Sequence, residues 1–284
     1  MSAARVTHFV VGVCGEMPGR QPLEIAAEMA RYFSAQFSVL MIEDAASGVM
    51  GSLPFAREYI PGRSTWQTIE VADVQARNAL AQRRAREAFA DVARLHGLSA
   101  DFEVMKGDGQ EELARVLRNY DVVAMVAPTS AGAWMTLPFS AFAEAALHGP
   151  AIALLLPARI FRRKGPVVAL ASATDQDSLM LGARLAQATG EMLVVLAADA
   201  KDIAQNVQSV AARVDLPSAR LRIIDADGSN LHDINRLLGV AGARILVARR
   251  EYLTQPGLGQ LIGLAAAHGI AIFIPGKPVP SQDA

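Results

Sequence analysis

GDGQEELARVLRNYDVVAMVA (107–127) has a counterpart later in the chain, ADGSNLHDINRLLGVAGARILVA (226–248). Both stretches run from a glycine-containing turn through a helical pattern to a short apolar segment. The correspondence continues between ALHGPAIALLLP (146–157) and AAHGIAIFIPG (266–276). The sequence is therefore predicted to contain one α/β unit twice.

Short apolar runs divide each copy into similar pieces. They lie at 9–13, 37–42, 102–105, 122–127 and 151–156 in the first copy, and at 167–171, 192–197, 221–224, 245–248 and 271–274 in the second. Continuous apolar runs, unlike alternating ones, indicate strands that are covered on both faces. Because helical patterns separate the runs, the predicted fold class is α/β, with two tandem five-stranded parallel-sheet domains.

The predicted domain boundary lies in PARIFRRKGP (157–166), a basic linker bounded by proline and glycine. It separates domain 1, residues 1–158, from domain 2, residues 159–284. Domain 1 also carries an insertion at 44–68 that contains three aromatic residues. A segment of this length is expected to be either a surface loop with its aromatic side chains folded back or a lid or partner-binding loop.

The composition predicts a soluble, cytoplasmic protein. The 284 residues include 27 Lys and Arg against 28 Asp and Glu, so no large field of one sign attracts nucleic acid or anionic lipid. No apolar run approaches the roughly 20 residues of a membrane helix, and the N-terminus lacks a signal-peptide pattern. The single cysteine, Cys14, permits no internal disulfide, which suits a reducing compartment.

Motifs for metal binding or catalysis are missing from the sequence. It has no His-x-x-x-His or Cys-x-x-Cys pair, no Gly-x-Ser-x-Gly elbow and no Walker A loop. No metal ligand and no catalytic residue are therefore assigned, and the protein is expected not to be an enzyme.

Three local features make the chain resemble the universal stress protein family in its tandem, two-domain form. They are the turn VCGEMPG (13–19), the turn KGDGQEEL (106–113) and the approach to the fifth strand, HGPAIALLLP (148–157). The resemblance implies an adenine nucleotide alpha hydrolase-like fold in both domains and a role in stress response. It also implies that the fifth strands, 151–157 and 271–276, join the domains as an intramolecular pseudo-dimer.

One branch of this family binds ATP through a loop of the form Gly-x-x-Gly, a nine-residue spacer and Gly-Ser/Thr. The corresponding positions in domain 1 are Val126, Thr129, Phe139 and Ser140. All three glycines, which would let backbone N–H groups approach the phosphates, are absent. The site is therefore predicted to be degenerate, and Ser140 is expected to cap the following helix instead.

Three other residues of domain 1 belong to this degenerate site. Cys14 stands where the family has an acidic residue for the adenosine end of the ligand, and Gly107 and Asp108 form the turn after the third strand. The Cys14 thiol is expected to be buried and inert. The alternative is an exposed thiol whose pKa is lowered by a helix N-terminus, which would make it redox sensitive.

The corresponding loop of domain 2, VARREYLTQPGLGQLIG (247–263), leaves a ligand site open. Arg249 and Arg250 stand where the first glycine pair would be, and Gly257 and Gly259 are predicted to precede the last helix. Two guanidinium groups at the carboxyl end of a parallel strand could bind a phosphate or carboxylate. The alternative is a solvated basic pair.

The turn after the first strand of domain 2, ASATDQDS (171–178), completes this candidate site. Ser172 and Thr174 are its candidate ligand contacts. Thr174 also begins a Thr-x-x-Asp pattern that is typical of a capping box.

The sequence favours a non-enzymatic universal stress-type regulatory or protein-binding module without the ATP-binding loop. No cofactor is predicted, although ATP or AMP binding in domain 2 stays open. The alternative is a sensor for a nucleotide or another anionic small molecule, mainly in domain 2. A regulatory protein is the expected partner, with a homodimer as a further option, whereas nucleic acid and membranes are not expected.

Overall fold

A computed structural model describes residues 6–14, 17–43, 57–60, 65–68, 71–106, 110–127, 137–172, 175–226, 231–253 and 258–277. The elements of the first half are β1 (His8–Cys14), α1 (Arg20–Phe33), β2 (Gln36–Glu43), β3 (Arg57–Ile60), β4 (Thr65–Thr68), α2 (Val71–Leu95), β5 (Ala100–Lys106), α3 (Gln110–Leu117), β6 (Val122–Val126), α4 (Leu137–His148) and β7 (Ile152–Leu156). Those of the second half are β8 (Val167–Leu170), α5 (Gln176–Thr189), β9 (Leu193–Ala197), α6 (Ala200–Arg213), β10 (Leu221–Asp225), α7 (Leu231–Ala241), β11 (Ile245–Val247), α8 (Leu258–His268) and β12 (Ala271–Ile274).

Ten strands form one continuous sheet in the order β10-β9-β8-β11-β12-β7-β6-β1-β2-β5. Every apolar run that predicted a strand is a strand of this sheet, which confirms the predicted α/β fold class. Counted within its own half, each set of five has the order 3-2-1-4-5, so the two halves share one topology. Pairing is parallel within each half.

Two apolar layers cover the two faces of the sheet. Val11 of β1 belongs to the cluster that includes α1, α2, α5 and α6, whereas its neighbour Val10 belongs to the cluster that includes α3, α4, α7 and α8. Successive strand residues point to opposite faces. Both faces are therefore buried, as the continuous apolar runs indicate.

The halves meet where β12 pairs with β7 in antiparallel orientation, with Phe273 opposite Leu154. Ion pairs on the α1 side of the sheet add to this junction. The Nη2 atom of Arg163 lies 2.7 Å from Oε2 of Glu24. The Nη2 atom of Arg244, whose side chain is 4% exposed, lies 2.8 Å from Oε2 of Glu28. Charged side chains thus tie α1 to the linker and to the second half.

The predicted insertion at 44–68 contains a hairpin that the sequence analysis did not anticipate. β3 and β4 pair in antiparallel orientation, with Tyr59 opposite Trp66. Aromatic and β-branched residues favour such strands. Trp66 is 67% exposed, so its ring does not fold back into the core. Residues 44–56 lie outside the described ranges.

Candidate functional site

Each half has one place where strand order reverses at the carboxyl end of the sheet. In the first half this place lies between β1 and β6, and in the second it lies between β8 and β11. Ligands of open α/β sheets bind at such switch points. We call these two places the first cleft and the second cleft.

One aromatic side chain of α4, that of Phe142, packs against β1 beside the first cleft. Phe139 is 5% exposed and Phe142 is fully buried, and both belong to the core on this face of the sheet. The Phe142 ring lies so close to Gly12 of β1 that an added Cβ there would be 2.0 Å from Cζ. A glycine in β1 and a phenylalanine in α4 therefore fit together as one packed unit.

Ser140 does not have the capping position that the sequence predicts. Helix α4 begins at Leu137, three residues earlier, so Ser140 lies inside the first turn with an exposed side chain. The predicted phosphate loop around Thr129, at 128–136, lies outside the described residues. The turn residues Gly107 and Asp108 lie outside them as well.

Cys14 is the last residue of β1. Burial raises the pKa of its thiol from the usual 9.0 to about 12. A thiol with this pKa remains protonated at neutral pH and is a poor nucleophile. The structure therefore favours the inert interpretation over a redox-sensitive one.

The second cleft contains a cavity of about 380 Å³. Its lining residues come from the turn after β8, the first turn of α5, the start of the turn after β11 and the end of β12. They are Ser172, Asp175, Gln176, Asp177, Ser178, Arg250, Glu251, Pro275 and Gly276. Ser172 thus lies at the predicted place, whereas Thr174 and Gly257 are outside the described residues.

Asp175, rather than Thr174, is the N-cap of α5. Its Oδ1 accepts a hydrogen bond from the backbone N–H of Ser178, at 3.0 Å. The N-cap thus lies one residue after the predicted position, because an aspartate accepts from the orphan N–H groups as well as a threonine does. Burial raises the pKa of the Asp175 carboxyl.

The guanidinium of Arg250 is bound by backbone carbonyl groups of the protein. Its guanidinium donates hydrogen bonds to the carbonyl oxygens of Leu147, Gly149 and Pro275, with Nη2 3.2 Å from the Gly149 oxygen and 3.0 Å from the Pro275 oxygen. Leu147 and Gly149 belong to the C-terminal end of α4, where the helix dipole favours a cation. Arg250 therefore links the second half to a helix of the first.

Arg249 and Gly259 do not line this cavity. The guanidinium carbon of Arg249 lies 5.4 Å from the centre of the buried Tyr252 ring, a cation–π contact. Gly259 is the second residue of α8 and has open space where a side chain would be. The structure thus separates the four residues proposed as an anion site: one lines the cavity, one stacks on a ring, one is exposed and one lies outside the described ranges.

Two acidic residues of the second cleft were missed by the sequence analysis. Asp177 and Glu251 both line the cavity, although about 70 positions separate them in the sequence. Each follows a predicted strand closely, and side chains at the carboxyl ends of neighbouring parallel strands share one edge of the sheet. Their positions after neighbouring strands are the sequence signal that could have predicted their proximity.

Among the described residues, no group of three or more His, Cys, Asp or Glu side chains could hold a metal ion. Among the described helices, none combines the length and apolarity needed to cross a membrane.

Neither the protein-family models nor the curated proteins contain a match to this sequence. Solved structures do match. A universal stress protein from Archaeoglobus fulgidus DSM 4304 superposes with a TM-score of 0.61 at 11% identity, over 94% of this chain and 96% of that one. A protein from Pseudomonas aeruginosa UCBPP-PA14, provisionally assigned to the same family, superposes with a TM-score of 0.51 at 14% identity. The match covers 95% of this chain and 93% of that one.

These likenesses cover both halves of the chain. The chain therefore has the universal stress protein fold, with two copies of the five-stranded unit in one polypeptide. A universal stress protein in complex with cAMP matches 55% of this chain with a TM-score of 0.33. That likeness is too weak to transfer a ligand to this chain.

Proposed function

We propose that the chain is a non-enzymatic, universal stress-type regulatory module that has lost ATP binding in its first half. The observation that carries the proposal is the packing of Phe142 against Gly12 of β1, beside the first cleft. Phe139, at the start of α4, is also buried in the core. A triphosphate at the start of α4 would have to displace aromatic rings from apolar surroundings. Such displacement costs several kcal/mol.

The environment of the second cleft also supports this proposal. Arg250, the cation nearest to a ligand in the cavity, already donates to three carbonyl groups. Asp175, Asp177 and Glu251 line the same cavity. A nucleotide phosphate there would meet three like charges.

The alternative function is a sensor for a nucleotide or another anionic small molecule in the second half. It depends on Arg249 and Arg250 as free ligands for an anion. Because one stacks on Tyr252 and the other binds backbone carbonyls, the geometry favours the regulatory module over the anion sensor.

We propose a cytoplasmic location and a role in stress response, with a regulatory protein as the partner. The two halves would act as an intramolecular pseudo-dimer through β7 and β12, and homodimerisation is a further part of the proposal. The near-zero net charge of −1 argues against nucleic acid or membrane partners. The single cysteine suits a reducing compartment.

Isothermal titration of the full chain with ATP, AMP and cyclic AMP tests the loss of nucleotide binding. We expect no heat of binding at micromolar concentrations of any of the three. Micromolar binding of ATP that Ser140→Ala weakens would contradict the proposal for the first half. Micromolar binding that Arg250→Lys weakens would instead support the anion sensor.

A further inference from the structure

The linker between the two halves, residues 157–166, carries four cations and no acidic residue. The four are all exposed, and they are Arg159, Arg162, Arg163 and Lys164. The backbone of the linker is fixed to the second half, because the N–H of Phe161 donates a hydrogen bond to the carbonyl oxygen of Gly269 at 3.2 Å. The cations therefore have a defined place on the surface.

Few acidic groups of the protein balance these cations. The carboxylate of Glu24 in α1 is shared by two guanidinium groups, with Oε1 2.8 Å from Nε of Arg20 and Oε2 2.7 Å from Nη2 of Arg163. Glu28 of the same helix pairs with Arg244. Among the described residues, no carboxylate forms an ion pair with the other three cations of the linker. An excess of positive charge is therefore left at the surface.

The end of helix α7 compensates one of these cations in part. A Cβ added at Gly242, the residue after this helix, would lie 2.8 Å from Nη1 of Arg162. The guanidinium thus lies against a helix C-terminus, which carries a partial negative charge. His268 adds no negative charge, because burial and then Arg162 lower the pKa of its ring, so that it is neutral at neutral pH. One helix end does not cancel the remaining cations.

Two apolar side chains beside these cations are exposed to water. Phe161 is 62% exposed, although its ring lies against Gly269, where an added Cβ would be 2.5 Å from Cδ2. Val240, two residues before Gly242, is 81% exposed. An anchored aromatic ring among arginines is typical of protein interfaces. We call Phe161, Val240, Arg20 and the four linker cations the linker surface.

We propose that the linker surface binds an acidic segment of a partner protein that also carries aromatic or aliphatic side chains. Carboxylates of the segment would pair with Arg159, Arg162 and Lys164, and arginine can bind a carboxylate through two hydrogen bonds. The apolar side chains of the segment would cover Phe161 and Val240, which removes apolar area from water. Charge complementarity thus determines the sign of the partner, and the exposed ring requires more than a bare polyanion.

A nucleic acid fits the linker surface less well than an acidic protein segment does. Nucleic-acid interfaces are strongly positive, whereas the net charge of this chain is −1. Proteins that bind single strands stack successive bases on several aromatic rings, whereas the linker contributes one, that of Phe161.

This inference rests on the part of the proposed function that assigns a protein partner. It does not depend on the loss of ATP binding, which concerns the packing of Phe142 against β1. Nucleotide titration tests that loss, and the binding of acidic polymers tests the linker surface, so the two failures are distinguishable.

The test is fluorescence anisotropy of labelled poly(Glu,Tyr), a random copolymer that presents many acidic sequences with an aromatic residue, titrated with the full chain. Three labelled polymers of similar length are titrated in parallel: polyglutamate, poly(Lys,Tyr) and a single-stranded oligothymidylate. At low ionic strength we expect saturable binding of poly(Glu,Tyr). Polyglutamate and the oligothymidylate should bind at least about fivefold more weakly, and poly(Lys,Tyr) should not bind.

Variants locate the binding surface. The double variant Arg159→Gln/Lys164→Gln changes two exposed side chains and should weaken binding of poly(Glu,Tyr) about fivefold. Phe161→Ala should weaken it by a similar factor, because the ring would be covered in the complex. Lys201→Gln/Arg213→Gln is the matched control: it makes the same change of charge at exposed positions of α6 and should bind as the original chain does.

Several results would overturn the proposal. They are no saturable binding of poly(Glu,Tyr), equal binding of polyglutamate, tighter binding of the oligothymidylate, and a loss of binding in the control as large as that in the double variant. A thermal melt of each variant shows whether it is folded. If Phe161→Ala fails to fold, the double variant and its control still decide the outcome.

Discussion

Phe142 and Gly12 show how one residue pair determines what the first cleft can hold. The fully buried ring of Phe142 lies over β1, and only a residue without a Cβ fits beneath it. Glycine and phenylalanine are common residue types, and neither Gly12 nor Phe142 forms part of a sequence motif. Their contact depends on the packing of α4 onto the sheet, because 130 positions separate them in the chain.

The first residue-scale prediction concerns this contact. Gly12→Ala would place a Cβ 2.0 Å from Phe142 Cζ, so we expect a loss of about 1–3 kcal/mol in the free energy of unfolding. Gly259→Ala is the matched control, because its Cβ would point into open space within a helix. The free energy of unfolding of the control should increase by about 0.5–1 kcal/mol. Urea unfolding measures both, and equal stabilities of the two variants would show that the ring does not press on β1.

The second residue-scale prediction concerns Cys14. Its pKa rises from 9.0 to about 12 in the folded chain, so the unfolded chain releases the thiol proton first as pH increases. The stability that this group contributes is therefore present below about pH 9 and is lost as pH rises toward 12. Between these pH values, the free energy of unfolding of the original chain should fall by up to about 1.4 kcal/mol per pH unit more than that of Cys14→Ala.

Denaturant unfolding of both chains at a series of pH values measures this difference. A parallel measurement of thiol alkylation at neutral pH should give a rate about a thousandfold below that of a free thiol, because so little thiolate is present. Identical pH dependence of the two chains, with rapid alkylation, would point instead to an exposed and reactive thiol.

At the scale of elements, helix α1 is fixed to the second half by charge. Arg244 at the start of β11 is buried and pairs with Glu28, which also accepts a hydrogen bond from the Tyr32 hydroxyl at 2.8 Å. Burial, followed by this hydrogen bond, raises the pKa of Tyr32. Removing Arg244 leaves the partly buried carboxylate of Glu28 without its cation.

The element-scale prediction follows from that arrangement. Arg244→Ala should lower the free energy of unfolding by about 3 kcal/mol, because Glu28 would lose its cation. Arg94→Ala is the control: its Nη2 lies 2.6 Å from Oδ1 of Asp91, but both side chains are largely exposed. The control should change stability by less than about 1 kcal/mol. Equal losses in the two variants, measured by urea unfolding, would mean that the buried pair does not fasten α1.

The existence of the elements could be predicted from the sequence much better than their details. Continuous apolar runs predicted all ten strands of the large sheet, since a strand covered on both faces needs apolar residues throughout. The hairpin of β3 and β4 was missed because glycine and proline surround it. Asp175 was missed as the N-cap because Thr174 fits the same pattern one position earlier.

The site could be predicted less well than the elements. Counting residues identified Phe139 as the substitute for a glycine, but its burial depends on how α4 packs. The position of Arg250 after a strand predicts a ligand contact, yet its acceptors Leu147 and Gly149 lie about a hundred positions away. Such distant backbone contacts leave no local pattern in a sequence.

At the scale of the whole molecule, two copies of one topology form a single sheet through β7 and β12. The repeat in sequence is therefore a repeat in structure. The two copies differ in their side chains, since the Phe142 ring packs against β1 beside the first cleft whereas polar side chains line the cavity of the second. We propose that the fold has been kept while ATP binding has been lost.

A crystal structure of the full chain, purified without added nucleotide, tests this claim most directly. The account predicts that Phe142 packs against Gly12, that Phe139 is buried at the start of α4, and that no nucleotide density is present in either cleft. Density for a nucleotide retained from the host cell, with its phosphates at the start of α4 and the phenylalanine rings displaced, would contradict it.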